Sequence, residues 1–137
     1  MTRETLFRGK RIDNGEWVKG FYVCVLDTHY IMTGKFDSLT NGIINSEAYK
    51  VDPSTVGQFT GLCDKNGVRI FEGDIIEYTD GCNDWLGAVK YDGDDAQFVV
   101  RFIGGDVESF DNLYSGDCEV LGDIYDSPEL LEVSGND

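Results

Sequence analysis

Apolar positions along this chain fall into short runs broken by glycine, asparagine and aspartate, and no long stretch keeps the 3.6-residue period of an amphipathic helix. The pattern predicts strands and little helix. Leu6 to Arg11 reads as the first strand, reversed at Asn14-Gly15 into Glu16 to Leu26, where Trp17, Phe21, Tyr22, Val23 and Val25 are candidate core side chains. Gly20 marks a bend or bulge within that run. His29 to Thr33 predicts a short third strand. Glu47 to Val51 predicts another, ended by Asp52-Pro53-Ser54, because proline fixes φ and keeps the residue before it out of the helical region. Residues 34–46 between them are polar, with a turn indicated at Asn41-Gly42 and a short strand or helix at Ile43-Ile44.

The alternation is clearest from Val56 to Tyr78. Two extended runs meet at Asn66-Gly67, which predicts a type I′ hairpin because both central residues of that turn need positive φ. Glu72-Gly73-Asp74 then reverses the chain into Ile75 to Thr79. Further strands are predicted at Trp85 to Tyr91, Ala96 to Ile103, Val107 to Phe110 and Cys118 to Tyr125, separated by turns rich in aspartate and glycine. Ser127-Pro128-Glu129 predicts a single helical turn, with serine as N-cap, proline at its first position, and Leu130 and Leu131 as anchors.

Three segments carry a family resemblance. Thr55 to Leu62, Asp64-Lys65-Asn66-Gly67 and Ile70 to Ile76 are similar to the signature of the YopX family of bacteriophage and prophage proteins. Phe7-Arg8-Gly9-Lys10 with Trp17-Val18-Lys19-Gly20 resembles its amino-terminal motif, and Val120 to Leu131 its carboxy-terminal one. The resemblance implies a phage-encoded cytoplasmic protein containing an SH3-like barrel, and it brings no catalytic residues with it. The expected architecture is therefore mainly β. Residues 1–55 form an N-terminal β-rich lobe, packed with an SH3-like barrel over 56–137, or the two make one compact unit over 1–133.

Charge sharpens that division. Residues 1–55 hold seven basic and seven acidic side chains, whereas residues 56–137 hold four basic and nineteen acidic, so the whole net charge of −15 lies in the second part. Such a field repels phosphates and argues against direct nucleic-acid binding there. With 41% hydrophobic and 12% aromatic residues the chain is nevertheless expected to fold on its own. No apolar run approaches a membrane span and Met1 to Leu6 lacks the apolar core of a signal peptide, so the expected location is the host cytoplasm, away from membranes.

Candidate chemistry is sparse. Cys24, Cys63, Cys82 and Cys118 are scattered without a C-x-x-C pair and read as free thiols acting as small buried hydrophobes. His29 is the one histidine and has no nucleophile signature around it, so it reads as a partly buried strand residue. Asp92, Asp94 and Asp95 cluster at Gly93 in the manner of a turn, not with the spacing of a calcium loop. No metal, cofactor or catalytic residue is expected. Among the aromatics, Tyr78, Tyr91, Phe98, Phe110 and Tyr114 are expected mostly to fill the interior and Trp85 to lean outward beside Asn83, Asp84 and Gly87.

Trp85, Asp84, Asp92, Asp94 and Asp95 are accordingly the predicted partner-binding set. They belong to a non-enzymatic module that docks a basic or nucleic-acid-associated protein through its acidic surface, with mimicry of DNA charge as a variant. Two other readings stay open: a small enzyme working through carboxylates, and a structural subunit of a homo-oligomer.

Overall fold

The computed structural model describes residues 6–37, 42–110 and 115–132. Asn41 and Tyr114, singled out above, lie outside them. The chain is mainly β, with two short 3-10 turns among the described residues, and it divides into two compact units, Met1–Phe59 and Thr60–Asp137.

The first unit holds β1 (Phe7–Arg11), β2 (Trp17–Val25), β3 (Thr28–Asp37) and the greater part of β4 (Gly42–Cys63). All ladders are antiparallel, and β1 pairs with both β2 and β4, so the four strands close into a ring. Closure removes both sheet edges. The register puts Ile31 opposite Tyr49, and Ile31 and Val51 are fully buried. Gly9 lies against Val51, where an added Cβ would sit 3.1 Å from the valine's own.

Pro53 does not end a strand as its sequence context predicts. It lies within β4, where the register against β1 slips between Lys10↔Asp52 and Arg8↔Gly57. A proline lacks a ladder donor, and a bulge is where a strand tolerates it. Side chains stabilise the bulge. Asp52 accepts from the Ser54 amide (3.0 Å) and hydroxyl (2.8 Å), while the Thr55 hydroxyl donates to the Asp52 carbonyl and accepts from the Lys10 amide.

The two-residue type I′ turn predicted at Asn66-Gly67 occurs instead at Leu26-Asp27. Both residues have positive φ, 49° and 66°, between the opposed residues Val25 and Thr28. A left-handed leucine costs about 1 to 2 kcal/mol, so nothing local asks for this turn. The flanking strands impose it.

The second unit contains β5 (Arg69–Phe71), which follows β4 in the sheet order. Its main sheet is formed by β6 (Asp74–Thr79), β7 (Asp84–Asp92), β8 (Gln97–Phe102), β9 (Val107–Ser109) and β10 (Cys118–Asp123). The order is β10-β6-β7-β8-β9, antiparallel throughout. The last strand thus lies beside the first. No ladder joins β9 to β10 among the described residues, so the pairings establish a five-stranded sheet rather than a closed barrel. One cluster joins Ile76, Val89, Val100, Phe102 and Cys118 of this sheet to Ile70 of β5, and Ile75, Ala88 and Val99, of the opposite parity, are buried as well.

At Asn66-Gly67 only the glycine has positive φ, 82°. The turn is built around Asp64. Its carbonyl accepts from the Gly67 amide, its Oδ1 accepts from the amides of Asn66 (2.8 Å) and Val68 (2.9 Å), and its Oδ2 accepts from Val120 of β10 (2.9 Å). A one-glycine turn with an aspartate acceptor replaces the type I′ turn because the carboxylate satisfies amides that a hairpin ladder would otherwise hold. Gly67→Val is expected to lower stability by about 1 to 3 kcal/mol, since a β-branched residue is strained in the left-handed region. Denaturant unfolding checks this. Space is not the obstacle, for an added Cβ would meet nothing within 4 Å.

The helical turn foreseen at Ser127 is a 3-10 turn, Pro128–Leu131, with proline at its start. Ser127 makes no side-chain cap; its carbonyl accepts from the Leu130 amide instead.

Candidate interaction surface

β7 carries three of the predicted binding positions, Asp84, Trp85 and Asp92, and also separates them. Asp84 and Trp85 open the strand and Asp92 ends it, so Trp85 and Asp92 stand about 23 Å apart along an extended backbone. The predicted set falls into two groups at opposite ends of the sheet.

At the first end, Trp85 stacks on its cross-strand partner Tyr78 with centroids 5.8 Å apart and planes 27° apart, and remains 38% exposed. The ring shares the core-facing parity of Gly87 and Val89, but it lies where that core runs out. Asp84 beside it is exposed. In the preceding turn Asp80 accepts from the amides of Asn83 and Cys82, both at 2.8 Å, and those donors hold its carboxyl below the ordinary value.

At the second end, Asp92 Oδ1 accepts from the Asp94 amide (3.0 Å), leaving Asp94 and Asp95 exposed at the tip. Ala96 closes the turn with a φ of 54°, a backbone region that disfavours a Cβ. Tyr91 and Phe98 face each other across the adjoining strands, ring edge to ring face, with centroids 5.3 Å apart, and Tyr91 is 48% exposed. Phe98 also lines a cleft of about 210 Å³ with Thr60, Leu62, Gln97, Ser109 and Phe110. Acidic turn, aromatic pair and cleft therefore meet where β8 begins. Negative charge, apolar ring surface and a small concavity in one place suit a cationic side chain with an apolar stem.

Much of the acidity has structural work. Asp64, Asp74, Asp80, Asp92 and Asp123 all accept backbone amides, Asp74 from Phe71 (2.7 Å) and Asp123 from Tyr125 (2.9 Å) and Asp126 (2.8 Å). Carboxylates of this kind set turns, and the remaining exposed ones set the surface field. No group of three or more histidine, cysteine, aspartate or glutamate side chains is arranged for a metal ion among the described residues.

The cysteines depart from expectation. Only Cys118 is the small buried hydrophobe foreseen, its thiol pushed up to about 11 by burial and then by the carboxylates of Asp117 and Asp64. Cys24, Cys63 and Cys82 are free and exposed, because they sit next to turns or at strand ends where side chains of either parity reach water. Cys24 also stands directly opposite His29 across the β2–β3 hairpin. That register follows from the Leu26-Asp27 turn, which no glycine or asparagine marks in the sequence.

The YopX protein family matches residues 6–132, nearly the whole chain and both units. The chain belongs to the YopX family. Protein EF1440 from Enterococcus faecalis, known from a crystal structure, is similar at 25% identity with a TM-score of 0.52, over 95% of this chain and 99% of that one. No curated protein matches. Within the YopX signature, Asp64, Gly67 and Asp74 are the residues that shape the turns around β5, so the segment that carries the family resemblance is a structural hub of the second unit. The described residues contain no helix long and apolar enough to cross a membrane.

Proposed function

We propose that this YopX-family chain is a non-enzymatic interaction module that docks a basic protein segment at the Asp92–Asp95 end of its second unit. Phage or prophage origin and residence in the host cytoplasm form part of the same reading. The supporting observation is the meeting of the exposed Asp94 and Asp95 with the Tyr91–Phe98 pair and the adjoining cleft. A net charge of −15 exceeds the magnitude of roughly 2 to 8 that suffices for solubility in a small domain, which favours a cationic partner. The field speeds encounter within a Debye length of about 8 Å at physiological salt, and the rings hold the bound segment.

Arginine-rich and lysine-rich peptides, with and without proline, provide the probe. Association followed by stopped-flow fluorescence is expected to slow by about tenfold at low salt when Asp92, Asp94 and Asp95 are replaced together by Asn, and to lose most of its salt dependence. Asparagine keeps the Oδ1 acceptor that Asp94 needs, so the turn survives while the charge goes. Tyr91→Ala is expected to speed dissociation. Association that ignores both ionic strength and the triple substitution overturns the docking reading.

A further inference from the structure

Three side chains of the first unit form a constellation that the docking reading does not use. Cys24 and His29 are opposed across the hairpin, with Cys24 Sγ 3.9 Å from His29 Nε2. The other ring nitrogen, Nδ1, is hydrogen-bonded to the Tyr22 hydroxyl. Tyr22 is itself held in place: its ring stacks on the imidazole at 5.7 Å and 9°, and packs against Phe7 at 5.6 Å. Thiol, base and orienting group thus stand in line on one face of the sheet. Such an order activates a sulfur nucleophile, and sulfur contacts of this length tighten when a reactant arrives.

Access supports chemistry rather than packing. Cys24 is exposed two positions before Leu26, the first residue of the hairpin tip, and Val25 and Leu26 are themselves 51% and 94% exposed. His29 is the only histidine of the chain, so neither Cys63 nor Cys82, the other exposed thiols, can have an imidazole of its own chain beside it.

We propose that Cys24 is a reactive thiol, activated by His29 and positioned through Tyr22, and that it forms a mixed disulfide with low-molecular-weight disulfides. With Nδ1–H donated to the Tyr22 oxygen, His29 Nε2 takes the proton from Cys24 Sγ. The thiolate attacks one sulfur of R–S–S–R, a Cys24 Sγ–S bond forms, and the R–S–S–R bond breaks. The departing R–S⁻ takes the proton from the imidazolium and leaves as R–SH, so Cys24 is oxidised as the departing sulfur is reduced. Modification would place a bulky polar group on the apolar hairpin tip, making the face beside Leu26 sensitive to redox state.

The reduced full chain is incubated at pH 7 with glutathione disulfide and, separately, with iodoacetamide, and each thiol is followed by peptide mass spectrometry. Cys24 is expected to react about tenfold faster than Cys63 and Cys82 with both reagents, in keeping with the reactivity of imidazole-paired thiols. His29→Gln is expected to bring Cys24 down to the rate of the other two without changing theirs, and Tyr22→Phe to reduce its rate in part. The comparison among thiols within the wild-type chain needs no variant to fold. Equal rates for the three exposed thiols, or a Cys24 rate indifferent to His29→Gln in a chain with a native circular dichroism spectrum, overturn the proposal.

Discussion

Asp64→Ala is expected to destabilise the second unit by about 3 to 4 kcal/mol, because three part-buried backbone donors lose a charged acceptor at once. A hydrogen bond to a charged group contributes about 1.5 to 3 kcal/mol, part of which water restores at the exposed Asn66 and Val68. Those donors are the amides of Asn66, Val68 and Val120, and the last lies on β10. The carboxylate therefore clamps the turn after β4 to a strand 56 residues later. Neighbouring backbone bonds share the duty, with Asp64 N donating to Val68 O and Lys65 N to Cys118 O, so their geometry should loosen as well. Denaturant unfolding measures the loss, and an unchanged midpoint would show that water replaces the carboxylate without cost.

The same residue makes stability depend on pH. Burial pushes the Asp64 carboxyl up, but the amides of Val120, Val68 and Asn66, with Lys65, outweigh burial and hold its pKa below the ordinary 3.8. A folded pKa below the unfolded one means that the unfolded chain binds the proton more readily. The contribution is therefore complete above the unfolded value and is lost as pH falls from there through the folded one. Wild-type stability is expected to drop in that acid range, with the drop reduced in Asp64→Ala.

The second large effect is steric. Gly20→Ala is expected to destabilise the first unit by about 3 kcal/mol, at the upper end of ordinary overpacking. An added Cβ would lie 2.1 Å from the Met32 carbonyl oxygen and 2.9 Å from its carbon. Met32 belongs to β3 and pairs with Phe21, so relief requires parting two strands of a closed ring rather than turning a side chain. Thermal unfolding followed by near-UV circular dichroism reads this through the aromatic residues around β2. A variant with wild-type midpoint would mean that the ring opens at that place without cost.

Gly20 shows how far local reading reaches: its place in a strand indicated a bend or bulge, and His29 to Thr33 read as a strand, but the close approach of Gly20 to Met32 follows only from the pairing of β2 with β3. Strand positions were largely legible because their determinants are local: absence of a helical period, glycine at reversals, aspartate able to accept the next amides. Asp92 at its turn is an instance. The candidate surface was legible only in part. Asp94 and Asp95 are exposed as expected, but their grouping with Phe98 and Phe110, and the distance from Trp85, depend on strand pairing.

What the residues by themselves determined is thus a mainly β chain with its net charge confined to the second part, since composition and turn chemistry act over a few positions. Tertiary structure alone decided the rest. Closure of the first unit needs β1 to meet β4, with Phe7 opposite Gln58, and no local preference encodes such a pairing. The turn at Asn66-Gly67 departs from type I′ because the Asp64 carboxylate also binds Val120. Leucine and aspartate adopt positive φ at residues 26 and 27 because the ladders of β2 and β3 outweigh their preferences, and that register brings Cys24 to His29. Long-range hydrogen bonds and buried apolar contacts are formed collectively, so they override local propensities of about 1 kcal/mol, and no short window of sequence contains them.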